Sequence, residues 1–264
     1  KIRLISEEFI GAGTYTDSNR TKYTLEGQKG YINGIEELNK ISAIFGHGKG
    51  AEKAKSITVE DINGITGYNP ATAKYGKGNF FEYGNKVTYT KEGETKLSSS
   101  ATNGKTWSGT QNTFNYYDKT NKTFKALTSG STQITSTCYY YFAGEFGKNN
   151  GTDGTSAVDD IYNLNETYKM LFGYDKVGSD NGFRNFTNGK CAQNYWLASD
   201  YACANGYEVF WGLRYVGDGI VNYNCLCISD GNEYSDSYGV RPVVSLKSDV
   251  SLEWNETAKE WKIK

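Results

Sequence analysis

The chain has 264 residues, of which 29 are basic and 30 acidic, so its formal net charge is −1. A balanced charge provides no global electrostatic footprint for nucleic acid or for a membrane surface. With 31 Gly, only 2 Pro and 22 Tyr, the composition is typical of a strand-rich protein with many glycine and asparagine turns. The chain is long enough to bury a sizeable core.

No run is apolar over the length of a transmembrane helix. The chain begins at Lys1 without a methionine. We therefore expect that it has been trimmed, and that contact with a membrane depends on an N-terminal anchor lying outside the sequence, if there is one.

The five cysteines lack the spacing of a metal site, and the chain has a single histidine, His47. We therefore expect no metal and no cofactor. One or two disulfides can form, and the odd count leaves at least one thiol over. The cysteines are Cys138, Cys191, Cys203, Cys225 and Cys227.

Apolar periodicity predicts an opening strand at residues 1–5 and three helices. The first covers residues 33–45, with Asn33 as its cap and Ile35, Leu38, Ile41 and Phe45 on one face. The second covers residues 58–66, with Thr58 and Asp61 in capping positions, Ile65 facing inward and Gly67 ending it. The third covers residues 156–172. The glycine-rich residues 46–50 lack the spacing of a phosphate-binding loop, and we interpret them as a turn between helices.

Residues from about 71 to 136 are polar and rich in Thr, Lys, Asn and Gly, with short alternating runs. We interpret them as hairpins that decorate the core, because they have too few apolar residues to fold alone. A disordered loop or a loop that covers a ligand remains an alternative for this insertion.

Three strands are predicted late in the chain, at residues 209–216, 220–228 and 240–247. In the middle strand, strict alternation places Val221, Tyr223, Cys225 and Cys227 on one face. Turn residues separate the three strands. A final hairpin is predicted near Trp254 and Trp261, and it could tie the end of the chain to the opening strand.

An unusual segment lies between the sequences YWLAS (195–199) and GVRPVVSL (239–246). Its 39 residues, 200–238, contain six Tyr among Asn, Asp, Ser and Gly, but no Lys, Gln, Met, Thr or Pro. Antibody loops use a similar mixture, because Tyr offers a large amphipathic contact at low entropic cost. Four Asp and two Glu against one Arg give the segment a net charge of −5, which argues against nucleic acid as its ligand. The alternative is that these are ordinary surface strands and turns.

The two frames, together with Trp211-Gly212-Leu213-Arg214 and the upstream sequences at 37–50 and 56–68, resemble the lectin-like variable proteins that retroelements diversify in gut bacteria and their phages. The resemblance covers most of the chain. It implies an α+β fold of the C-type-lectin type, formed by residues 1–264 as a single domain, with the polar insertion at 71–136 and a variable region at 195–246. It also implies a location outside the cell, on the cell surface or on a phage particle.

Retroelements of this kind mutate template adenines, typically in AAC or AAT codons. Such codons can produce Tyr, Asn, Asp, Ser, Gly, Cys, Ile and Phe, but not Lys, Gln, Glu, Met or Trp. The missing Lys, Gln and Met agree with this, so Trp211, Glu208 and Glu233 must belong to the scaffold. The predicted variable, ligand-facing residues are Tyr201, Asn205, Tyr207, Tyr215, Asp218, Asn222, Tyr223, Asn224, Asp230, Asn232, Tyr234, Asp236 and Tyr238.

Some of these residues have a structural alternative, above all Tyr215 and Tyr223, which could belong to the core. Arg214 and Arg241 are predicted to hold a carboxylate or a carbonyl within the sheet. Cys203, Cys225 and Cys227 could be products of diversification.

The function expected from the resemblance is a non-enzymatic receptor or adhesin for a protein or a glycan. One alternative is an undiversified structural head of a pilin-like or phage surface assembly. Another is an enzyme that generates formylglycine, which would need Cys225 and Cys227 as a reactive pair.

Overall fold

The computed structural model describes residues 3–5, 23–44, 50–72, 78, 80–138, 141–142, 171, 194–217, 220–247, 249–257 and 260–263. They form two helices, α1 (Gly27–Ser42) and α2 (Val59–Thr66). The strands are β1 (Arg3–Ile5), β2 (Tyr23–Glu26), β3 (Lys55–Ser56), β4 (Lys86–Glu92), β5 (Lys96–Ala101), β6 (Thr106–Thr110), β7 (Asn115–Asp118), β8 (Thr123–Ala126), β9 (Gly130–Thr135), β10 (Tyr141–Phe142), β11 (Tyr195–Ala204), β12 (Val209–Gly217), β13 (Ile220–Ile228), β14 (Ser235–Tyr238), β15 (Pro242–Ser245), β16 (Leu252–Asn255) and β17 (Glu260–Ile263).

The prediction of an α+β fold is wrong, because strands account for 49% of the structure and helices for only 15%. The strands form several small sheets. The central sheet has the order β10-β13-β12-β11, and a second four-stranded sheet has the order β6-β5-β4-β9. The polar insertion contributes six of these strands, β4 to β9, and its short alternating runs pair with one another.

The insertion belongs to the core of the protein. Val87, Tyr89 and Leu97 from its sheet are fully buried, in one cluster with Trp196 and Leu213 of the central sheet. The predicted hairpins are therefore present, but they contribute to the core instead of decorating it. Every second side chain of β4 and β5 is buried, as expected for strands with one face against a core.

Helix α1 begins at Gly27, so the predicted start at Asn33 is wrong. The helix follows β2 directly, and its N-cap Glu26 makes no side-chain capping bond. Gly34 brings the helix close to the sheet, since a Cβ there would lie 3.1 Å from Leu25 and from Leu213. Glycines at such contacts hide the apolar period from which a helix is recognised, so the first two turns were missed.

Helix α2 was predicted correctly in its start and stop. Thr58 and Asp61 form a complete capping box, and Gly67 ends the helix in the left-handed conformation with φ 76°. One detail differs, because Ile65 is 44% exposed instead of facing inward. Of the helix predicted at 156–172 only Leu171 is described, and it is helical and buried. Most of the glycine-rich turn at 46–50 also lies outside the described residues.

The three late strands and the final hairpin are confirmed, with one local error. A register shift separates the pairs Trp211↔Cys227 and Gly212↔Cys225 on β12 and β13, so β13 carries a bulge at Leu226. The bulge places Cys227 in the core cluster beside Leu226, away from the face of Cys225. The final hairpin pairs β16 with β17, whereas β1 pairs with β15, so within the described residues the final hairpin does not pair with the opening strand.

A disulfide joins Cys138, after the insertion, to Cys203 on β11. Both cysteines are buried, with Tyr201 in the same small cluster. The bond closes a loop with a sequence separation of 65 residues. The other described cysteines, Cys225 and Cys227, are free.

Removing this disulfide should destabilise the fold. Chain entropy for a loop of this length gives about 4 kcal/mol as an upper expectation, so Cys138→Ala with Cys203→Ala should lower the free energy of unfolding by about 2–4 kcal/mol. Urea unfolding under non-reducing conditions measures the change. Dithiothreitol should lower the stability of the wild type by a similar amount and leave the double variant unchanged. Equal sensitivity of both proteins would contradict the assignment.

Gly212 of β12 has no room for a side chain. A Cβ there would lie 1.8 Å from the carbonyl oxygen of Asn224 and 2.7 Å from the ring of Tyr201. Gly212→Ala should therefore lower the free energy of unfolding by about 2–3 kcal/mol through overpacking. The matched control is Gly64→Ala in α2, where a Cβ meets nothing within 4 Å, and the gain should be about 0.5–1 kcal/mol. The same sign of change in both variants would contradict the packing argument.

Candidate functional site

The segment after β13 folds back on that strand and is fixed from two sides. The N–H of Tyr234 donates to the carbonyl of Leu226 at 2.8 Å, and the N–H of Ile228 donates to the carbonyl of Asn232 at 2.9 Å. On the other side β14 pairs with β2, and the N–H of Gly27 donates to the carbonyl of Tyr234 at 2.9 Å. The backbone of this segment is therefore held in place while several of its side chains face outward.

The turn itself is local in origin. The side chain of Asp230 accepts a hydrogen bond from the N–H of Asn232 at 2.9 Å, and Gly231 has φ 102°. Asp and Gly are suited to these two positions, since Asp forms such turns with its own backbone and Gly adopts positive φ without strain. The turn leaves Asp230, Asn232 and Tyr234 exposed.

A groove of about 350 Å³ lies beside this turn. We call it the β13 groove. Its apolar lining comes from β12 and β13 of the central sheet, and its polar lining comes from β13, the turn and β14. The lining residues are Phe210, Asn224, Cys225, Ile228, Tyr234, Ser235 and Asp236.

One wall of the β13 groove is a fixed polar network. The Asn224 amide donates to the carboxylate of Asp236 and, at 2.9 Å, to the hydroxyl of Tyr238, which itself donates to Asp236 at 3.0 Å. The ring of Tyr238 stacks on Tyr215 with centroids 4.4 Å apart and an interplanar angle of 6°. Burial, followed by Tyr215 and Asp236, raises the pKa of Tyr238, so its hydroxyl stays protonated and can serve as a donor.

Two tyrosines are the most exposed aromatic residues of this surface. Tyr207 is 48% exposed and Tyr234 46% exposed. The carboxylate of Glu208 raises the pKa of Tyr207, first by its charge and then by a hydrogen bond. Burial, and then Cys225, Asp230 and Glu208, raise the pKa of Tyr234. The charge of Glu208 therefore acts on both hydroxyls.

Two predicted ligand-facing residues are buried, so we remove them from the candidate set. Tyr201 is 1% exposed and packs on Tyr223 with centroids 4.8 Å apart. Asn205 is 8% exposed, and its side chain accepts hydrogen bonds from the N–H groups of Tyr207 and Glu208, both at 2.8 Å. Its role is to form the turn between β11 and β12.

The other predicted residues differ in their environments. Half-buried positions are occupied by Tyr215, Asn222, Tyr223, Asn224, Asp236 and Tyr238. Exposed positions are occupied by Tyr207, Asp230, Asn232 and Tyr234. Asp218 lies outside the described residues.

The framing residues lie inside the protein. Trp196, Trp211, Arg214 and Arg241 are at most 2% exposed. Arg214 donates to the backbone carbonyl of Thr137. The Nη1 atom of Arg241 lies 3.5 Å from the backbone carbonyl oxygen of Leu171. A carbonyl partner was one of the two alternatives expected for each arginine.

Sequence reasoning missed the apolar part of the groove. Phe210 alternates with Val209 and Trp211 along β12, so period-2 alternation would have placed it on the opposite face. Trp107 was also missed; it lies in the insertion and contacts Tyr207 with ring centroids 5.9 Å apart. Nothing in the sequence indicates that contact, because it joins two distant segments.

The two free cysteines do not form a pair with a common face. Cys225 lines the groove, whereas Cys227 is buried in the main core cluster. Burial raises the pKa of the Cys225 thiol to about 12 and also raises that of Cys227. Reactive thiols need the opposite shift, since the thiolate is the nucleophile and the metal ligand.

Comparison with known proteins gives no assignment, because the chain matches no protein-family model, no curated protein and no solved structure. In the part of the chain that the structure describes, no helix is both long and apolar enough to cross a membrane. The described residues also contain no group of three or more His, Cys, Asp or Glu side chains arranged to hold a metal ion.

Native-state thiol labelling tests the environment of these cysteines. At pH 8, iodoacetamide should modify Cys225 at least about 100-fold more slowly than it does in the urea-unfolded chain, because a raised pKa removes the thiolate. The rate should increase as the pH rises toward 11. Peptide-resolved mass spectrometry separates Cys225 from the other thiols. Labelling of Cys225 as fast as in the unfolded chain would contradict the assigned environment.

Proposed function

We propose that this chain is a non-enzymatic surface protein that binds a macromolecular ligand, a protein or a glycan, through the β13 groove and the exposed tyrosines around it. We further propose that its variable-type residues are diversified by a retroelement. The observation that carries the proposal is the separation of the segment 200–238 into a buried frame and an exposed set of Tyr, Asp and Asn residues.

This separation is what diversification requires. Substitution of an exposed side chain on a fixed backbone usually changes stability by less than about 0.5 kcal/mol, whereas substitution in the core costs far more. Tyr207, Asp230, Asn232 and Tyr234 are exposed, and the backbone of residues 228–238 is bonded to β13, β2 and α1. Side chains can therefore change here while the scaffold persists.

The chemistry of the surface supports a binding role. Exposed tyrosines provide large contact areas with few rotatable bonds, and aromatic residues are enriched where interfaces have their strongest contacts. The carboxylates of Glu208, Asp230 and Asp236 favour a neutral or basic partner and disfavour a polyanion. The raised pKa values of Cys225 and Cys227 and their separation by the bulge favour a binding role over an enzyme that uses both thiols.

The disulfide between Cys138 and Cys203 supports a location outside the cytosol, on the cell surface or on a phage particle. Disulfides form and persist in oxidising environments and are rare where glutathione and thioredoxin keep thiols reduced.

The coding DNA tests the diversification directly. We expect a near-identical repeat of the sequence encoding residues 200–238 beside a reverse transcriptase gene. Differences between the two copies should be confined to template adenines and should fall on codons of exposed or half-buried candidates. Absence of a repeat, or differences at positions other than template adenines, would remove diversification from the proposal.

Tolerance to substitution tests the surface independently. A display library with AAC-derived codons at 207, 230, 232 and 234 should retain the folded signal in most members, because these side chains are exposed. The matched library at 196, 211, 214 and 241 should lose it in most members, because it creates cavities or unpaired buried groups. Similar folded fractions in the two libraries would contradict the division into frame and surface.

A further inference from the structure

A second cavity lies away from the β13 groove and shares no lining residue with it. It has a volume of about 400 Å³, within the range of small-molecule pockets, about 300–1,000 Å³. We call it the β9 cleft. It lies between β9, the β7–β8 hairpin and the side of the central sheet that carries Trp211 and Ala202.

One wall of the cleft is aromatic. Tyr31, Tyr116, Tyr117 and Trp211 line it. Phe124 contacts three of them, with ring centroids 5.7 Å from Tyr31, 5.4 Å from Tyr117 and 5.3 Å from Trp211. The contacts with Tyr31 and Trp211 are edge-to-face and the contact with Tyr117 is tilted. Such packing fixes the orientation of these rings, so this part of the wall is preformed.

The opposite wall is polar and comes from the edge of a sheet. Residues 132–135 of β9 all line the cleft, although successive side chains of a strand point to opposite faces. Such a lining is typical of a strand edge. Among the described strands, β9 has β4 on one side and no strand of its sheet on the other, so it presents backbone donors and acceptors in addition to its Thr and Gln side chains.

Two carboxylates line the cleft, and they differ in availability. Asp118 accepts hydrogen bonds from the side chains of Lys125 and Asn121, and the bond from Lys125 is the first cause of its lowered pKa. Asp200 is exposed and has the Tyr31 hydroxyl, at 3.2 Å, as its hydrogen-bond partner in the described part of the chain. Asp200 can therefore accept further hydrogen bonds from a ligand.

The charges around the cleft favour a neutral ligand. Lys119 also lines it and opposes the charge of Asp200, while Lys125 compensates Asp118. An anion would meet two carboxylates, and an organic cation would meet a lysine. A polyhydroxylated ligand matches both walls, because its apolar ring face can cover an aromatic side chain while its hydroxyls exchange hydrogen bonds with Asp200, Gln133 and the threonines.

We propose that the β9 cleft is a binding site for a neutral sugar, a monosaccharide or the end unit of a glycan, with an aromatic side chain of its wall against the sugar face and Asp200 accepting from its hydroxyls. The site is formed by the insertion and the central sheet together, and it does not depend on the diversified surface.

Titration calorimetry with the purified chain tests this proposal. The probes are glucose, galactose, mannose, fucose, N-acetylglucosamine, lactose and maltose, with sialic acid as an anionic comparison. At least one neutral sugar should bind, and sialic acid should bind more weakly. Asp200→Asn should weaken the binding by at least about tenfold, because a hydrogen bond to a charged group is lost. Tyr116→Ala should weaken it as well.

Matched variants outside both cavities serve as controls. Asp249→Asn and Tyr83→Ala remove the same groups from exposed positions that line neither cavity and should leave sugar affinity unchanged. Near-ultraviolet circular dichroism verifies the fold of each variant, and Gln133→Ala, at an exposed position of β9, provides a second cleft variant should Tyr116→Ala fail to fold.

Three results would overturn the proposal. One is that none of the neutral sugars binds at its highest soluble concentration. Another is that a sugar binds with equal affinity to the wild type, Asp200→Asn and Tyr116→Ala. The third is that an extended peptide from a display library occupies the cleft, binds Asp200→Asn as tightly as the wild type, and protects the amides of residues 132–135 from hydrogen exchange. The edge of β9 would then accept an added strand. If Tyr207→Ala loses affinity for a macromolecular ligand while sugar affinity is unchanged, that result concerns the function proposed for the β13 surface and not the β9 cleft.

Discussion

The bulge in β13 opposite Trp211 and Gly212 is the constraint on which the candidate surface depends. A regular strand would turn Cys225 and Cys227 to one face. The extra residue instead places both Leu226 and Cys227 in the core and leaves Cys225 at the groove. The carbonyl of Leu226 then receives the N–H of Tyr234. Bulges are frequent beside functional sites, where they change the direction of side chains, and this one sets the edge against which the turn at 229–234 folds.

Gly212, which lies opposite the same bulge, has no space for a side chain. The ring of Tyr201 and the carbonyl of Asn224 occupy the space where its Cβ would lie. The buried side of the central sheet is equally constrained on the helix side, where Gly34 brings α1 against Leu213. A scaffold with so little free space tolerates few changes inside, which is compatible with frequent changes only where side chains face solvent.

The sequence predicted the parts of this fold that depend on local chemistry. The capping box of α2, the late strands and the turn near Asp230 follow from short-range signals, and all are present. The start of α1 was missed because close contact with the sheet requires glycines where a helix pattern would show apolar residues. The α+β class was wrong because the described residues form many short strands and only two helices. The burial of the insertion was not predicted, because its sheet joins the core only through contact with Trp196, Trp211 and their neighbours. Contacts between distant segments, such as Trp107 with Tyr207, leave no local signal. For the same reason, the part of the β9 cleft that the insertion forms was not predicted.

The disulfide gives the chain a topological property besides stability. Cys138 and Cys203 close a covalent ring through the residues between them. Both ends of this ring lie in the core, where Thr137 and Ala202 also exchange hydrogen bonds. A protease that cut the ring once would leave a single covalent molecule with its central sheet and insertion still attached. A cut between Cys138 and Cys203 therefore leaves the two anchoring points covalently joined, and a change in the length of the chain between them leaves the same bond in place.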